Sequence, residues 1–397
     1  MSESADLVVV GAGTLGGWAS VFAAAEGVGR VVVLEQGRVG MGASSRAAGI
    51  VRAQGGTPAT VALGRWSIDF YRGQQAAYGT DSGFRELGYL ILAVTEDDER
   101  IGRERVAMQR DLGLDVRWLD PAEATLASRT LAPDGHRGGS FREGDGHIDP
   151  PRNVRAYSLA MAAAGVELRE GVAFTGLRRD AAGRVTGVET SAGPIATGRV
   201  LLTGGPSLRA VGERAGVRIP VGAARHTVAV LEPDDAFLPP HPMVFDLGAG
   251  LYWRPEEDGL LFGWSDPDDA PGIARAVDWA AHERYRERLA SFVPRVRDLG
   301  LRRIWVATID YTPDHTPIIG PAITQEGRRL DGVVVAAAAG HGMMWGPGIS
   351  RAATDLLLRG RTEVVDVTDL GMDRFDAAGR SRLATDPVTL PYPSATD

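Results

Sequence analysis

An apolar run, Leu7-Val8-Val9-Val10, leads directly into Gly11-Ala12-Gly13-Thr14-Leu15-Gly16. An Ala-rich stretch of helical character follows. A second apolar run, Val31 to Leu34, then ends in Glu35. A strand, a glycine turn, a helix and a second strand closed by an acid make up the βαβ unit that binds dinucleotides. Gly11 permits the tight turn, Gly13 leaves room for a pyrophosphate against the backbone, and Gly16 lets the helix lie close on the strand. The helix N-terminus offers free N–H groups and the positive end of its dipole to phosphates. Glu35 can accept hydrogen bonds from ribose hydroxyls, which favours a free 2′-hydroxyl over a 2′-phosphate. The ligand is then FAD or NAD. A lone G-x-G-x-x-G is a weak signal, and a ligand-free strand–helix turn is the alternative; the flanking strands and the acid argue against it.

Composition narrows the remaining classes. A chain of 397 residues exceeds one ordinary core and suits about two domains. No run of 18 or more apolar residues exists, so no membrane span is expected. No basic region followed by an apolar leader opens the chain, and a cytoplasmic location is expected. The net charge of −8 disfavours nucleic acid. With no Cys there is no disulfide, no thiol catalysis and no Cys-linked flavin. All 43 basic residues are Arg, which excludes Schiff-base chemistry and a lysine base. No zinc-finger spacing occurs, and no metal site is expected.

Along the chain, helices are predicted over 58–79, 97–113, 120–127, 151–164 and 278–292. Strands are predicted within 83–95, at 166–177, 185–190 and 200–203, and at 333–337 before a last helix to about Leu358. From Pro220 to Trp264 the pattern alternates as in an antiparallel sheet. The predicted fold class is α/β: a Rossmann-type unit interleaved with a smaller substrate domain built on a mixed, mainly antiparallel β-sheet. The cofactor unit is assigned residues 1–80, 145–215 and 305–365, and the substrate unit 81–144 and 216–304. Residues 366–397 read as a C-terminal tail packed on the surface.

Four segments together carry a family resemblance: VVVGAGTLGG with Glu35; GASSRAAGIVRAQ over 42–54; GLYWRP (250–255) with LLFGWSDP; and DYTPDHTPIIG (310–320) with Gly340-His341-Gly342. On these the chain resembles the flavoprotein amine oxidases and dehydrogenases of the D-amino-acid oxidase superfamily, and most of all the sarcosine oxidase β-subunit and dimethylglycine dehydrogenase branch. The resemblance covers roughly residues 5–365. It implies FAD rather than NAD, held between the two domains. It places Ser44, Ser45 and Arg46 at the pyrophosphate and flavin, and Gly204 and Gly205 on the adenosine side. It extends the cofactor set from Gly11, Gly13, Thr14, Leu15, Gly16 and Glu35 to Gln36, Gly49, Val172, Gly340, His341, Gly342, Met343 and Met344. Arg52 corresponds to the arginine that clamps the substrate carboxylate in sarcosine-oxidase relatives. A guanidinium fork suits a carboxylate bidentately; read from the residues alone, a salt-bridged structural arginine is the alternative. Tyr252 and Arg254, two apart on a strand, face one side and are expected at the substrate. His341 is expected at the flavin or the substrate amine, and Met344 beside it. Catalytic roles are thus assigned to Arg52, Tyr252 and His341, and His147 is read as structural.

Three departures from the family pattern matter. Ile309 stands where glycine and D-amino-acid oxidases carry an arginine, which leaves Arg52 as the clamp. Met344 stands where monomeric sarcosine oxidases carry the lysine that promotes reaction with oxygen. Arg46 stands where dimethylglycine-type enzymes link FAD to a histidine, so FAD is expected to be non-covalent. The implied activity is oxidation of the C–N bond of an amino acid, secondary or N-methylated, by hydride transfer to flavin N5 to give an imine. The alternatives are an oxidase of primary amino acids, a tailoring amine dehydrogenase for a larger natural product, and an FAD-binding β-type subunit that needs a partner. The partners expected are a small amino acid or amine and oxygen or another electron acceptor; an oligomer is compatible with the resemblance.

Overall fold

The computed structural model describes residues 3–274 and 276–392. The strand Leu7–Val10 lies centrally in a six-stranded sheet because its residues are apolar on both faces and buried throughout. The order across the sheet is Ile318–Ile323, Arg329–Ala337, Val200–Leu202, Leu7–Val10, Val31–Glu35, Glu167–Glu170. All neighbours are parallel except the edge strand Ile318–Ile323. Against one face pack the helices Thr14–Ala25, Pro58–Tyr78, Pro150–Ala163 and Gly342–Arg359, with Trp18 and Trp345 fully buried among them. The other face is covered by an antiparallel meander, Phe174–Arg179, Val185–Thr190 and Ile195–Ala196, and by the helix Leu208–Ala215.

Local chemistry starts the long helices where expected. Thr57 and Thr60 form a reciprocal cap ahead of Pro58, and Gly79 closes that helix in the left-handed conformation. Asp149 caps the helix that begins at Pro150. The segment predicted as one strand over 166–177 divides at Gly171, whose φ of +72° turns the chain from the parallel sheet into the meander.

The second sheet has eight strands, ordered Leu301–Tyr311, Gly222–Leu231, Gly259–Trp264, Leu251–Glu256, Met243–Asp246, Tyr89–Leu92, Gly139–Arg142 and Arg117–Leu119. All pairings are antiparallel except that of Met243–Asp246 with Tyr89–Leu92. The helix Trp279–Phe292 covers one face. Tyr89, Phe245, Tyr252 and Ile309 crowd the other, towards the parallel-sheet unit. The strand Leu301–Tyr311 pairs with Gly222–Leu231 along its length, so a domain boundary at 305 would cut through one strand.

Residues 366–392 are not a surface tail. Arg374 and Asp314 form an ion pair at 2.7 Å with side chains 0% and 1% exposed. Val388, Leu390 and Tyr392 are buried, and Tyr392 stacks on Tyr311 at 5.1 Å between centroids. A polar, proline-containing composition hides these few apolar anchors. Burial opposes ionisation of Asp314, but Arg374 and Ser381 outweigh it and hold the carboxyl below its ordinary value.

Arg374→Met leaves Asp314 buried without its cation and is expected to cost about 3–5 kcal/mol. Since the native carboxyl has the lower pKa, the pair stabilises fully above about pH 4 and loses its contribution as pH falls through the native value. Urea unfolding of the parent and variant at pH 7 and pH 3 checks both statements. A gap between the two proteins under 1 kcal/mol at pH 7, or one that widens on acidification, would refute them.

Candidate functional site

The turn Gly11–Leu15 opens the site. Gly11 has φ +100°, and a Cβ on Gly16 would lie 1.9 Å from the Gly11 carbonyl oxygen, so the helix can sit on its strand only without a side chain there. The helix N-cap, Gly13, makes no side-chain cap, which leaves most of the first-turn N–H groups free. Thr14 N–H donates to Ser44 Oγ at 3.0 Å, which brings the 42–54 loop over the helix end. Glu35 accepts from Ala12 N–H at 3.1 Å and Gly37 N–H at 2.8 Å, one per carboxylate oxygen. Each oxygen keeps a lone pair for a further donor.

A cavity of about 380 Å³ runs from this turn to the second sheet. Gly11, Gly13, Thr14, Leu15, Glu35, Gln36, Ser44, Arg46, Gly49, Gly204, Gly205, Gly340, His341, Gly342, Met343 and Met344 all line it, as do Arg52 and Tyr252. Four expected residues do not. Gly16 is the packing contact beneath the turn. Ser45 Oγ donates to the Gly40 carbonyl, holding the loop shape. Val172 N–H donates to the Glu35 carbonyl at 3.0 Å behind the acid. Arg254 shares a strand face with Tyr252, but its Nε donates to the Ala48 carbonyl at 3.1 Å and its Nη1 pairs with Glu256 at 2.6 Å. The position expected to face substrate thus ties the second sheet to the cofactor loop instead.

Several lining residues escaped the sequence reading. His226 Nε2 lies 2.6 Å from the Tyr252 hydroxyl, and its Nδ1 lies 2.9 Å from Ser265 Oγ. Burial pushes His226 down to about 4 and Tyr252 well above its ordinary value, so both are neutral at pH 7. Asp310, lining the cavity, accepts the Ala338 and Ala339 N–H groups at 3.0 Å each. It thereby braces a loop in which Ala339 has φ +50°, a costly conformation for a side-chain-bearing residue. Burial, then the Arg52 charge, pushes the adjoining His341 down to about 3. Tyr89, Phe245, Thr389 and Leu390 also line the cavity. His226 and Asp310 each sit singly in a strand, and only strand pairing brings them to the cavity.

Residues 6–356 match the family model described as FAD dependent oxidoreductase. The chain belongs to that family. It is 28% identical over 388 residues to a 4-methylaminobutanoate oxidase (formaldehyde-forming) of Paenarthrobacter nicotinovorans, covering 94% of this chain and 46% of that protein. It therefore spans less than half the length of that relative. It is 30% identical to a glycine oxidase of Pseudomonas putida, covering 91% of this chain and 97% of the other. The fold matches the crystal structure of an L-proline dehydrogenase from P. horikoshii with a TM-score of 0.87 at 23% identity, covering 96% of this chain and all of that one.

The residues present fit the family's cofactor. Glu35 offers acceptors to ribose, the uncapped helix end and Ser44 offer donors to a pyrophosphate, and the same cavity is lined by Tyr89, Phe245 and Tyr252 of the second sheet. No helix among the described residues is long and apolar enough to cross a membrane.

Glu35→Ala is expected to weaken FAD binding about ten- to a hundredfold, since charge-assisted bonds to hydroxyls contribute about 1.5–3 kcal/mol. Fluorescence titration of the stripped protein measures this; an unchanged Kd removes Glu35 from the site. Arg46 is engaged by the Met41 and Gly42 carbonyls and the chain has no Cys. Acid precipitation is accordingly expected to release free FAD into the supernatant, and yellow colour retained in the washed pellet would show a covalent bond.

Proposed function

We propose that this chain oxidises the C–N bond of an amino acid, with a secondary or N-methylated amine as its substrate and FAD bound non-covalently. Arg52 carries the reading. Its side chain is 2% exposed and lines the cavity. Its acceptors among the described residues are two backbone carbonyls, Gln54 and, at 2.5 Å, Val388. Of the five N–H groups of a guanidinium, three have no acceptor among the described residues. Among the described residues no carboxylate forms an ion pair with Arg52, since Asp386, which feels its charge, is held by Thr60 and Val388, and a substrate carboxylate suits the open part of the fork. The relatives support the same class, since their names specify oxidases of methylaminobutanoate and of glycine.

Bound FAD would supply the two-electron acceptor. The chain's own residues bind, orient and exclude water. Arg52 holds the carboxylate, while Tyr89, Phe245 and Tyr252 shield the reacting carbon from solvent. With His226 donating from Nδ1 to Ser265, Tyr252 donates to Nε2, and its oxygen keeps lone pairs that can accept an amine N–H. Burial beside the Arg52 cation disfavours an ammonium and so favours the neutral amine that C–H oxidation requires. No dedicated base is needed. Met344 stands where monomeric sarcosine oxidases carry a lysine, and the electron acceptor is oxygen or a separate partner.

Arg52→Met is expected to weaken binding and slow anaerobic flavin reduction by an N-methyl amino acid by more than about a hundredfold. FAD content should stay near that of the parent. An amine lacking a carboxylate should be affected far less, because it never used the guanidinium. Stopped-flow reduction with sarcosine, larger N-methyl amino acids, cyclic amino acids and D and L primary amino acids makes the measurement. Equal losses for carboxylate and non-carboxylate amines would make Arg52 structural. A purified parent chain that no amine reduces would favour a subunit that needs a partner.

A further inference from the structure

The segment 386–392 is the least expected part of the cavity wall. Asp386, 1% exposed, anchors its start: one carboxylate oxygen accepts from Thr60 Oγ1 at 3.0 Å and the other from Val388 N–H at 2.8 Å, while Asp386 N–H donates to the Asp314 carbonyl at 3.0 Å. Thr389 Oγ1 lies 2.7 Å from His315 Nδ1. Its far end is pinned by two glycines. A Cβ on Gly250 would lie 2.0 Å from Pro391 Cδ, and one on Gly340 would lie 2.0 Å from the Tyr392 hydroxyl. The segment thus crosses from the helix Pro58–Tyr78, past the substrate sheet, to the loop that carries His341. Between the anchors, the Val388 carbonyl accepts from Arg52 Nη2, and Thr389 and Leu390 face into the cavity.

We propose that residues 386–392 form a specificity strap, in which Leu390 limits the size of the group a substrate can carry beyond its carboxylate while the Val388 carbonyl fixes the Arg52 fork. The inference rests on the reading that Arg52 binds that carboxylate. A strap joined to the clamp by a backbone bond sets one distance, from guanidinium to wall, and so measures the ligand from its charged end. Leu390 makes the wall apolar and bulky. Shortening its side chain opens space in the cavity that Arg52 also lines, without touching the guanidinium, and enlarging it fills that space. Arg52 is shared by all carboxylate ligands, so such changes move discrimination between ligands more than affinity for the smallest of them.

Isothermal titration of the FAD-loaded full chain with acetate and with benzoate tests this without turnover. Leu390→Ala is expected to strengthen benzoate relative to acetate by at least fivefold, and Leu390→Trp to shift the ratio the other way, with FAD content unchanged in both. Leu390→Val carries the same test with a smaller shift if the alanine variant does not fold. Ratios within twofold of the parent in folded, FAD-loaded variants overturn the strap. If the parent binds neither carboxylate, the Arg52 reading fails separately, and methylamine against benzylamine in the same variants then decides the strap; binding of neither pair overturns both.

Discussion

The contact between Gly16 and the Gly11 carbonyl sets the geometry on which the rest of the molecule depends. A single added carbon would lie 1.9 Å from that oxygen. Without it, the helix Thr14–Ala25 drops onto Leu7–Val10 and points its uncapped N-terminus into the cavity. The same closeness lets Thr203 Oγ1 reach the Val10 carbonyl at 2.8 Å, which brings the turn after Val200–Leu202 to the rim of the same opening. The helix Gly342–Arg359 packs on the other side through Ser350, whose hydroxyl donates to the Leu15 carbonyl at 2.9 Å. Segments hundreds of residues apart therefore meet at one helix end, where the dipole and free amides favour an anion.

At the cavity's other end the organising group is a cation. Arg52 sits where the cofactor loop, the second sheet and the C-terminal segment converge, and its hydrogen bonds to Gln54 and Val388 join two of these. Nearby polar groups are arranged to be uncharged at neutral pH: His226 and His341 are pushed down by burial, and Tyr252 is pushed up. Arg52 thus stands as the cation of a chamber whose histidines and tyrosine are neutral, with Asp310 engaged by backbone N–H groups and Asp386 by Thr60 and Val388. That pattern selects an anionic group at one point and leaves an amine free of its proton at another.

The same economy appears in how the two units are joined. Arg254 bonds the Ala48 carbonyl, Trp305 Nε1 donates to the Arg46 carbonyl at 2.9 Å, and Gln54 donates to the Tyr89 carbonyl at 2.9 Å. Side chains from one unit bond to the backbone of the other, so the cofactor loop and the substrate sheet keep their spacing. Residues that look functional by type, such as Arg254, are used for this.

The linear chain determined what depends on neighbours a few residues apart. The βαβ turn, its acid and the caps at Thr57 and Asp149 follow from local spacing, because glycine freedom, strand burial and capping act over one turn or one strand. The absence of Cys and Lys by itself bounds the chemistry. Only the tertiary structure decided which side chains share the cavity. His226 and Asp310 reach it because Gly222–Leu231 pairs with Leu301–Tyr311, and Arg254 does not line it, its guanidinium being engaged by the Ala48 carbonyl and Glu256. The burial of Val388, Leu390 and Tyr392 was illegible for the same reason. Val388, Leu390 and Tyr392 alternate with Thr389 and Pro391, but five residues broken by proline are too short an alternation to mark a buried segment, and these side chains find their place only against surfaces that the rest of the fold has already built.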